Sequence, residues 1–332
     1  LGLSSGLYYV PGNYADTDEV VALAEVTRSF GGVYDTHLRD EGSYGIGLAA
    51  AVDEAIEIAR RAGVPAHISH IKALGRDVQG SAGDIVDRVN RARDEGLRIT
   101  ANQYPWRASG TRLSNALIPR YALAGSLERF FERLASDDEG AAIRVAMHEN
   151  LERRGGPAAL LVTGADSRWA GRTLADVADA LGMSPVDAAL EIIRDGDPSV
   201  ASFVMDADDI ATFAVQPWVM TGSDGSGGHP RLYATYPKAW QDLVGTGRMS
   251  ATAFLRRSSG QVADTFGLCD RGALRPGYRA DLVVIDPGNY VPRATYASPT
   301  TMATGVRYAL VNGVIVIDES RPTGRKAGQV IN

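Results

Sequence analysis

Three segments near the start of the chain carry apolar residues at helical spacing, and a glycine ends each of them. The predicted helices cover residues 17–30, 48–62 and 82–95. Thr17 is expected to be the N-cap of the first helix, with acidic residues in the first turn behind it. The glycines that stop the helices are Gly31, Gly63 and Gly96. They recur roughly every 30 residues, which is close to the length of one βαβ unit.

A short apolar run that is typical of a buried strand follows each glycine. The first run closes at His37, the second closes at His70, and the third leads into Tyr104. Strands that alternate with helices predict a parallel sheet, and we expect an α/β fold of the TIM-like (β/α)8 barrel type. In such a barrel the active site is built at the carboxyl ends of the strands, so these three side chains are expected at one rim.

The rest of the chain departs from this regular alternation. Residues 105–216 carry several further helical patterns and read as a long insertion, or lid, between two barrel strands. The next apolar strand, at 218–224, ends at Asp224. Towards the C-terminus two strand patterns surround an Asn312-Gly313 hairpin turn. We therefore expect a barrel portion over 1–265 and a small β-sandwich portion over 266–332.

Composition and charge exclude several classes of partner. The net charge of -6 and the lack of a basic run with interleaved aromatic residues argue against nucleic acid. No apolar stretch approaches the roughly 20 residues that cross a bilayer. The single cysteine, Cys269, rules out an internal disulfide framework and fits a reducing compartment, so we predict a cytoplasmic protein.

The residues at the strand ends favour a metal site. His37 and His70 occupy equivalent positions in successive βα units, and Asp224 ends a later strand. Neutral imidazole and carboxylate are good ligands of Zn²⁺, and a carboxylate beside the metal can accept a proton from bound water. A single histidine at a strand end is more often structural, so the prediction depends on the three residues together.

An ordered set of motifs resembles the N-acyl-D-amino-acid deacylases of the amidohydrolase superfamily. The matching segments are GLSSGLYYVPG at 2–12, THLRDE at 36–41, ISHIK at 68–72, QYPW at 103–106, GSDG at 222–225, HPR at 229–231, RGALRPGYRAD at 271–281 and VNG at 311–313. They occur in the family's order and span nearly the whole chain. Each motif is weak alone, but the ordered set is specific.

The resemblance implies a role for each site residue. The site would hold one or two zinc ions, and His37 and His70 would bind the catalytic one. Asp224 would be the general acid/base and, with two ions present, also a ligand of the second metal. Lys72, Tyr104 and Arg231 would hold the substrate carboxylate. Arginine offers a bidentate fork to a carboxylate, while lysine and a phenol add a charge and a donor.

The activity that the resemblance implies is zinc-dependent hydrolysis of an N-acyl-D-amino acid to a carboxylate and a D-amino acid. Two alternatives remain open at this point. One is a cyclic-amide hydrolase of the hydantoinase or dihydropyrimidinase kind, and the other is a non-catalytic subunit that binds a small carboxylate. A homo-oligomer is compatible with all three.

The chain departs from the family in its metal ligands. The family carries a His-X-His pair on its first barrel strand and a cysteine or other bridging ligand on a later one, and neither occurs in these 332 residues. We therefore expect a separate N-terminal polypeptide segment to complete the barrel and to supply the remaining ligands. Asn102 stands where the family usually has Asp, which is expected to change a contact behind the ligands rather than the chemistry.

The remaining histidines and the cysteine are expected outside the metal site. His67 lies three residues before His70 in the same strand, faces the other side and is interpreted as structural. His229 in a Gly-rich loop is interpreted as bordering the site or as a loop residue, and His148 is expected to be exposed. Cys269 lies at the junction with the β portion and does not match the family's cysteine ligand.

Overall fold

A computed structural model describes residues 1–331 of the chain, as a succession of α-helices and short strands. The helices are α1 Thr17–Ser29, α2 Leu48–Ala62, α3 Ala82–Asp94, α4 Leu113–Leu117, α5 Leu127–Leu134, α6 Asp137–Arg153, α7 Leu174–Leu181, α8 Pro185–Arg194, α9 Ala207–Ala214, α10 Arg231–Trp240, α11 Ala251–Arg257 and α12 Gly260–Phe266. The strands are β1 Gly2–Gly6, β2 Val33–His37, β3 Ala66–Ile68, β4 Ile99–Gln103, β5 Ala108–Arg112, β6 Leu160–Val162, β7 Ser199–Phe203, β8 Val219–Thr221, β9 Leu282–Ile285, β10 Val306–Val311, β11 Val314–Asp318 and β12 Arg321–Pro322. Short 3₁₀ turns lie at Gly12–Tyr14, Arg76–Val78, Arg120–Leu123 and Pro157–Ala159, and a π-helical turn lies at Gln241–Gly245.

The predicted parallel sheet is present, with five strands in the order β1-β2-β3-β4-β8. All four pairings are parallel, and their registers bring the carboxyl ends of the strands to one edge. The three predicted N-terminal helices are present as α1, α2 and α3, and each connects neighbouring strands of this sheet. The edge at which the strands end is called the rim below.

The ends of these helices follow from their sequence, with one correction. Gly63 and Gly31 adopt positive φ angles of 67°, so a residue without a Cβ suits both positions. The N-cap of α1 is Asp16 and not Thr17, because the Asp16 carboxylate accepts a hydrogen bond of 2.8 Å from the backbone N–H of Glu19. The Thr17 hydroxyl donates instead to Glu54 on α2.

One hydrophobic core fills the space between the parallel sheet and its helices. Alternate residues of the strands, such as Tyr34, Ile68 and Ala101, pack there against α1, α2 and α3. The opposite face of the sheet is polar and hydrogen-bonded. Asp35 accepts hydrogen bonds from Ser4 and from Ser69 on that face, and Ser4 is exposed.

The predicted insertion forms a separate layer. Strand β4 pairs directly with β8, so everything between them leaves the sheet and returns to it. Within this excursion, which we define as residues 105–216, β5, β7 and β6 form a three-stranded antiparallel sheet. A second hydrophobic core, distinct from that of the parallel sheet, unites its helices around Phe130, Met147 and Leu190.

The C-terminal part contains a four-stranded antiparallel sheet in the order β12-β11-β10-β9. The predicted hairpin turn is confirmed: Val311 pairs with Val314, and Asn312 and Gly313 take positive φ angles of 49° and 80°. The sandwich arrangement and the division at residue 265 stay predictions.

The two outer strands of the parallel sheet pair on one side only. In the part of the chain that the structure describes, β1 contacts β2 and β8 contacts β4, and neither has a second neighbour.

Among residues 1–331 every helix is too short or too polar to cross a lipid bilayer. His148 and Cys269 are exposed, as expected for His148.

Candidate active site

The rim of the parallel sheet brings together side chains from four strands. His37 is the last residue of β2, His70 follows shortly after β3, Tyr104 directly follows β4, and Asp224 follows β8. His37, His70, Tyr104 and Asp224 line one cavity, together with Lys72. The sequence-based expectation that these side chains lie at one rim is therefore met.

The two imidazoles converge on each other. His37 Nδ1 lies 2.8 Å from His70 Nε2. The other nitrogen of His70, Nδ1, lies 2.7 Å from Lys72 Nζ and 3.1 Å from Glu41 Oε1. A carboxylate behind a histidine fixes the ring and leaves the far nitrogen for a metal. His37, Glu41 and His70 offer ligand atoms that all lie within 4.8 Å of one another.

This donor set fits a zinc ion. Two nitrogen ligands of tetrahedral zinc, each about 2.0–2.1 Å from the metal, lie roughly 3.3 Å apart, so the imidazoles would separate by about half an ångström. Burial lowers the pKa of His37 to about 3, which keeps its imidazole in the neutral form that binds metals. The buried Nε2 of His37 has no hydrogen-bond partner in the described residues.

Glu41 is the buried anion of the site, and the sequence did not assign it a role. It follows β2 on the same loop as His37 and lies within contact of His37, His70 and Lys72. Burial alone would raise the pKa of its carboxyl group, but Lys72 and the two histidines lower it well below its usual value. Burial lowers the pKa of Lys72, and Glu41 opposes that effect. Each of these two groups therefore stabilises the charged form of the other.

His70 is held in an unusual backbone conformation by Asn102. Its φ angle is 40°, in the left-handed region that non-glycine residues rarely adopt. The Asn102 side-chain oxygen accepts a 2.8 Å hydrogen bond from the His70 backbone N–H, and its amide nitrogen lies 2.8 Å from His67. A Cβ at Gly222 would lie 2.6 Å from the Asn102 oxygen, so a glycine is needed opposite it.

Asp224 lies at the rim in a second strained backbone conformation and beside a buried arginine. Its φ angle is 44°, and its Oδ2 lies 2.8 Å from Nη1 of Arg231. The pair is at ion-pair distance but is not aligned as a hydrogen bond, because Nη1 and Nε of Arg231 have no aligned acceptor in the described residues. Arg231 thus keeps two donors that a ligand can use.

Lys72, Tyr104 and Arg231 form a compact buried group. The Arg231 guanidinium lies 4.9 Å from the centre of the Tyr104 ring, and Lys72 Nζ lies 5.8 Å from the same centre. The Tyr104 side chain is only 2% exposed, and its hydroxyl has no partner among residues 1–331. Unpartnered donors next to two cations suit an anionic ligand group.

Two adjoining cavities meet at Asp224. The inner one, of about 50 Å³, contains the imidazoles, Lys72 and Tyr104. The outer one, of about 280 Å³, is lined by Arg231 and by the excursion strands β5 and β7. Thr111 of β5 borders both. Together they reach the size of a small ligand pocket.

The other histidines serve the scaffold. His67 is buried on the polar face of the sheet, opposite helices α1, α2 and α3, where its ring contacts Thr100 and Asn102 rather than His37. His229 is buried: its Nδ1 accepts from the Arg231 backbone N–H at 3.1 Å, and its Nε2 donates to the carbonyl of Ala108. His229 therefore positions Arg231 at the edge of the outer cavity.

Two sets of cavity residues were not singled out from the sequence. Tyr8 and Tyr9 come from the loop after β1, within a motif that the resemblance quoted without a role. Arg154 comes from the excursion, and no motif marks it. For Glu41 and the tyrosines the signal was proximity to a strand end, whereas Arg154 had no local signal.

The comparisons with known proteins place these features among the amidohydrolases. The amidohydrolase family model matches residues 134–317. D-Aminoacylase from Alcaligenes xylosoxydans xylosoxydans is 30% identical over 341 residues, covering 100% of this chain and 61% of that protein.

Two solved structures show the same likeness. The crystal structure of D-aminoacylase has a TM-score of 0.81 at 28% identity, covering 100% of this chain and 62% of its own. N-Acyl-D-glutamate deacylase from Bordetella bronchiseptica, solved with zinc and a phosphonate that mimics the tetrahedral intermediate, has a TM-score of 0.80 at 28% identity, covering 98% of this chain and 61% of its own.

The likeness confirms the predicted fold class, an α/β barrel of the amidohydrolase type, and the predicted family resemblance. The chain spans about three fifths of the length of these relatives.

Substitution of Asn102 tests how the site is held. Asn102→Ala removes the acceptor for the His70 backbone N–H, so we expect zinc affinity to fall by about 10- to 100-fold, as for other groups that orient metal ligands. Competition with a chromophoric chelator measures this. Asn102→Asp keeps an acceptor and should lose little. Asn90→Ala, which removes a buried contact to Trp218 far from the rim, is the control, and an equal loss in both alanine variants would contradict the prediction.

Proposed function

The chain belongs to the amidohydrolase family, and from that premise we propose that it hydrolyses the amide bond of N-acyl-D-amino acids with bound zinc. The observation that carries the proposal is the single cavity in which two convergent imidazoles, a carboxylate and a buried cationic group meet. The relatives named above act on, or are named for, open-chain N-acyl-D-amino acids. We therefore favour a linear amide over a cyclic one.

His37 and His70 would hold the zinc ion, and Asp224 would border it or bind a second ion. Zinc, when bound, lowers the pKa of a coordinated water and polarises the acyl carbonyl. Glu41 keeps the His70 ring oriented through Nδ1. Lys72 balances the charge of Glu41 within the protein.

Asp224 is proposed as the general acid/base. Its carboxylate accepts the proton of the attacking water and returns it to the nitrogen of the departing amine, so the proton balance closes within one residue. Asp224 lines both cavities, and its Oδ2 forms an ion pair with Arg231 Nη1 at 2.8 Å.

Lys72, Tyr104 and Arg231 are proposed to bind the α-carboxylate of the substrate. Fixing the carboxylate on one side and the scissile carbonyl at the imidazoles on the other leaves one direction for the side chain at Cα. This arrangement discriminates between enantiomers, because the L-form would place its side chain where the D-form has hydrogen.

We also propose that further polypeptide closes the sheet against β1 and β8 and supplies additional metal ligands. The unpaired edges of both strands and the exposed polar face behind them support this, since a barrel closes by pairing every strand on both sides. The assignment of 1–265 to the barrel portion and 266–332 to a β-sandwich portion belongs to the same proposal.

Denaturing intact-mass spectrometry combined with zinc analysis tests that assembly. We expect the active, zinc-loaded protein to contain polypeptide beyond these 332 residues, on the same chain or a separate one, because in the described residues β1 and β8 each pair on one side only, whereas a closed barrel pairs every strand on both sides. Activity and stoichiometric zinc in a sample that consists only of the 35.3 kDa species would contradict it.

Asp224→Asn tests the acid/base role. Asparagine tolerates the left-handed backbone as aspartate does, so the fold should persist while kcat falls by about 100- to 10,000-fold. Zinc content, measured by elemental analysis, should remain at the wild-type level. Asp242→Asn changes an acid that pairs with Lys238 outside both cavities and should leave kcat unchanged. A near-normal rate in Asp224→Asn would remove this residue from the mechanism.

Tyr104→Phe separates stability from substrate binding. Because the Tyr104 hydroxyl is buried without a partner, its removal should leave the free energy of unfolding unchanged or raise it, while kcat/KM falls by about 10- to 100-fold through KM. Urea denaturation and initial rates measure the two effects. Tyr44→Phe removes another buried, unpartnered hydroxyl that does not line the cavity. Equal kcat/KM in both variants would exclude Tyr104 from the carboxylate site.

A further inference from the structure

A buried arginine from the excursion lines the inner cavity. Arg154 directly follows α6, and its side chain is only 1% exposed. It lines the same cavity as His37, His70 and Lys72. The proposed mechanism makes no use of it.

The partners of Arg154 are all neutral. Nη2 donates to the Tyr8 hydroxyl at 2.9 Å, Nη1 donates weakly to Ser109 Oγ at 3.4 Å, and Nε has no partner. The guanidinium stacks over the Tyr44 ring at 5.1 Å. Among residues 1–331 no carboxylate oxygen lies within 4.0 Å of an Arg154 nitrogen, which is the distance limit of an ion pair.

The other buried cations of this site each face an anion. Lys72 contacts Glu41, and Arg231 lies beside Asp224. Burying a charge is costly unless it is paired. The described residues hold the Arg154 guanidinium in a buried site and place no counter-ion beside it. An anionic group of a ligand would complete it, and the fork of arginine suits a carboxylate.

We propose that Arg154 binds a second carboxylate, in the side chain of the substrate, and that the protein is selective for N-acyl-D-amino acids with acidic side chains, glutamate or aspartate. This inference rests on the proposed function, since the α-carboxylate is assigned to Lys72, Tyr104 and Arg231. Lys72 and Tyr104, which follow strands of the parallel sheet, line the inner cavity together with Arg154 of the excursion, and Arg231 lines the adjoining outer cavity.

The relatives do not decide the side chain. D-Aminoacylase, N-acyl-D-glutamate deacylase and N-acyl-D-aspartate deacylase, all from Alcaligenes xylosoxydans xylosoxydans, match this chain at nearly equal identity, 30%, 29% and 30%. The preference is inferred from Arg154 and its missing counter-ion alone.

The test compares acidic substrates with their amides. Initial rates are measured for the N-acetyl derivatives of D-glutamate and D-aspartate against those of D-glutamine and D-asparagine, with the zinc-loaded protein. We expect one of the two acidic substrates to be preferred. A site built around a charged donor should favour that substrate over the corresponding amide by about 100-fold or more in kcat/KM. Calorimetric binding of D-glutamate and D-glutamine measures the same preference without turnover.

Arg154→Met should lower kcat/KM for the acidic substrate to the value for its amide, while kcat/KM for the amide stays at the wild-type value. Arg154→Lys keeps the charge without the fork and should show an intermediate preference; it carries the test if the methionine variant does not fold. Arg153→Met is the matched control, because Arg153 is the preceding residue, partly exposed, and does not line the cavity. It should keep the wild-type preference.

The outcomes separate this inference from the proposed function. Hydrolysis of acids and amides with equal kcat/KM, or an unchanged preference in Arg154→Met, would overturn the role of Arg154 and leave deacylation intact. If none of the four substrates is hydrolysed, deacylation of these side chains is excluded, which overturns the proposed selectivity. The calorimetric preference for D-glutamate over D-glutamine, with its loss in the Arg154 variants, still decides whether Arg154 binds a carboxylate.

Discussion

The site depends on one buried anion. Glu41 lies out of water among His37, His70 and Lys72, and each of these contacts constrains a different part of the rim. Its oxygen and Lys72 Nζ both lie at Nδ1 of His70, so Nε2 is the nitrogen of that ring that faces His37. Its contact with Lys72 stabilises the charged form of that buried lysine. Desolvation lowers the pKa of Lys72, and the neighbouring negative charge of Glu41 opposes this effect. The proposed metal-binding half and the proposed carboxylate-binding half of the site are therefore linked through a single side chain.

Much of this arrangement could be predicted because parallel strands end at a common edge. Regular glycines marked the helix ends, so the strands that follow them, and hence His37, His70 and Tyr104, could be placed at one rim without knowing any distance. The cap of α1 shifted by one residue because Asp16 and Thr17 are both good N-caps, and only tertiary structure decides that Thr17 contacts Glu54. Local pattern thus settles which element a residue belongs to more readily than which bond it makes.

Arg154 shows where such reasoning stops. In the sequence it is one of two adjacent arginines at the end of a helix, and nothing distinguishes it from Arg153. In the structure Arg153 is partly exposed beside acidic residues, while Arg154 is buried among tyrosines from distant segments. That difference comes from packing across more than a hundred residues of sequence, which neither periodicity nor spacing encodes. Glu41 is an intermediate case, because its loop could be located but its partners could not.

Helices α4 to α8 of the excursion have a hydrophobic core separate from that of the parallel sheet, whereas Phe213 of α9 belongs to the core of the sheet, and this division has a consequence for engineering. A residue that faces the cavity from the excursion is supported by packing that does not extend beneath the imidazoles. Libraries confined to the ends of α6 and to β5 would therefore vary what the pocket accepts without disturbing the scaffold that holds the imidazoles. New selectivity could be sought in one half of the molecule while the other half is kept constant.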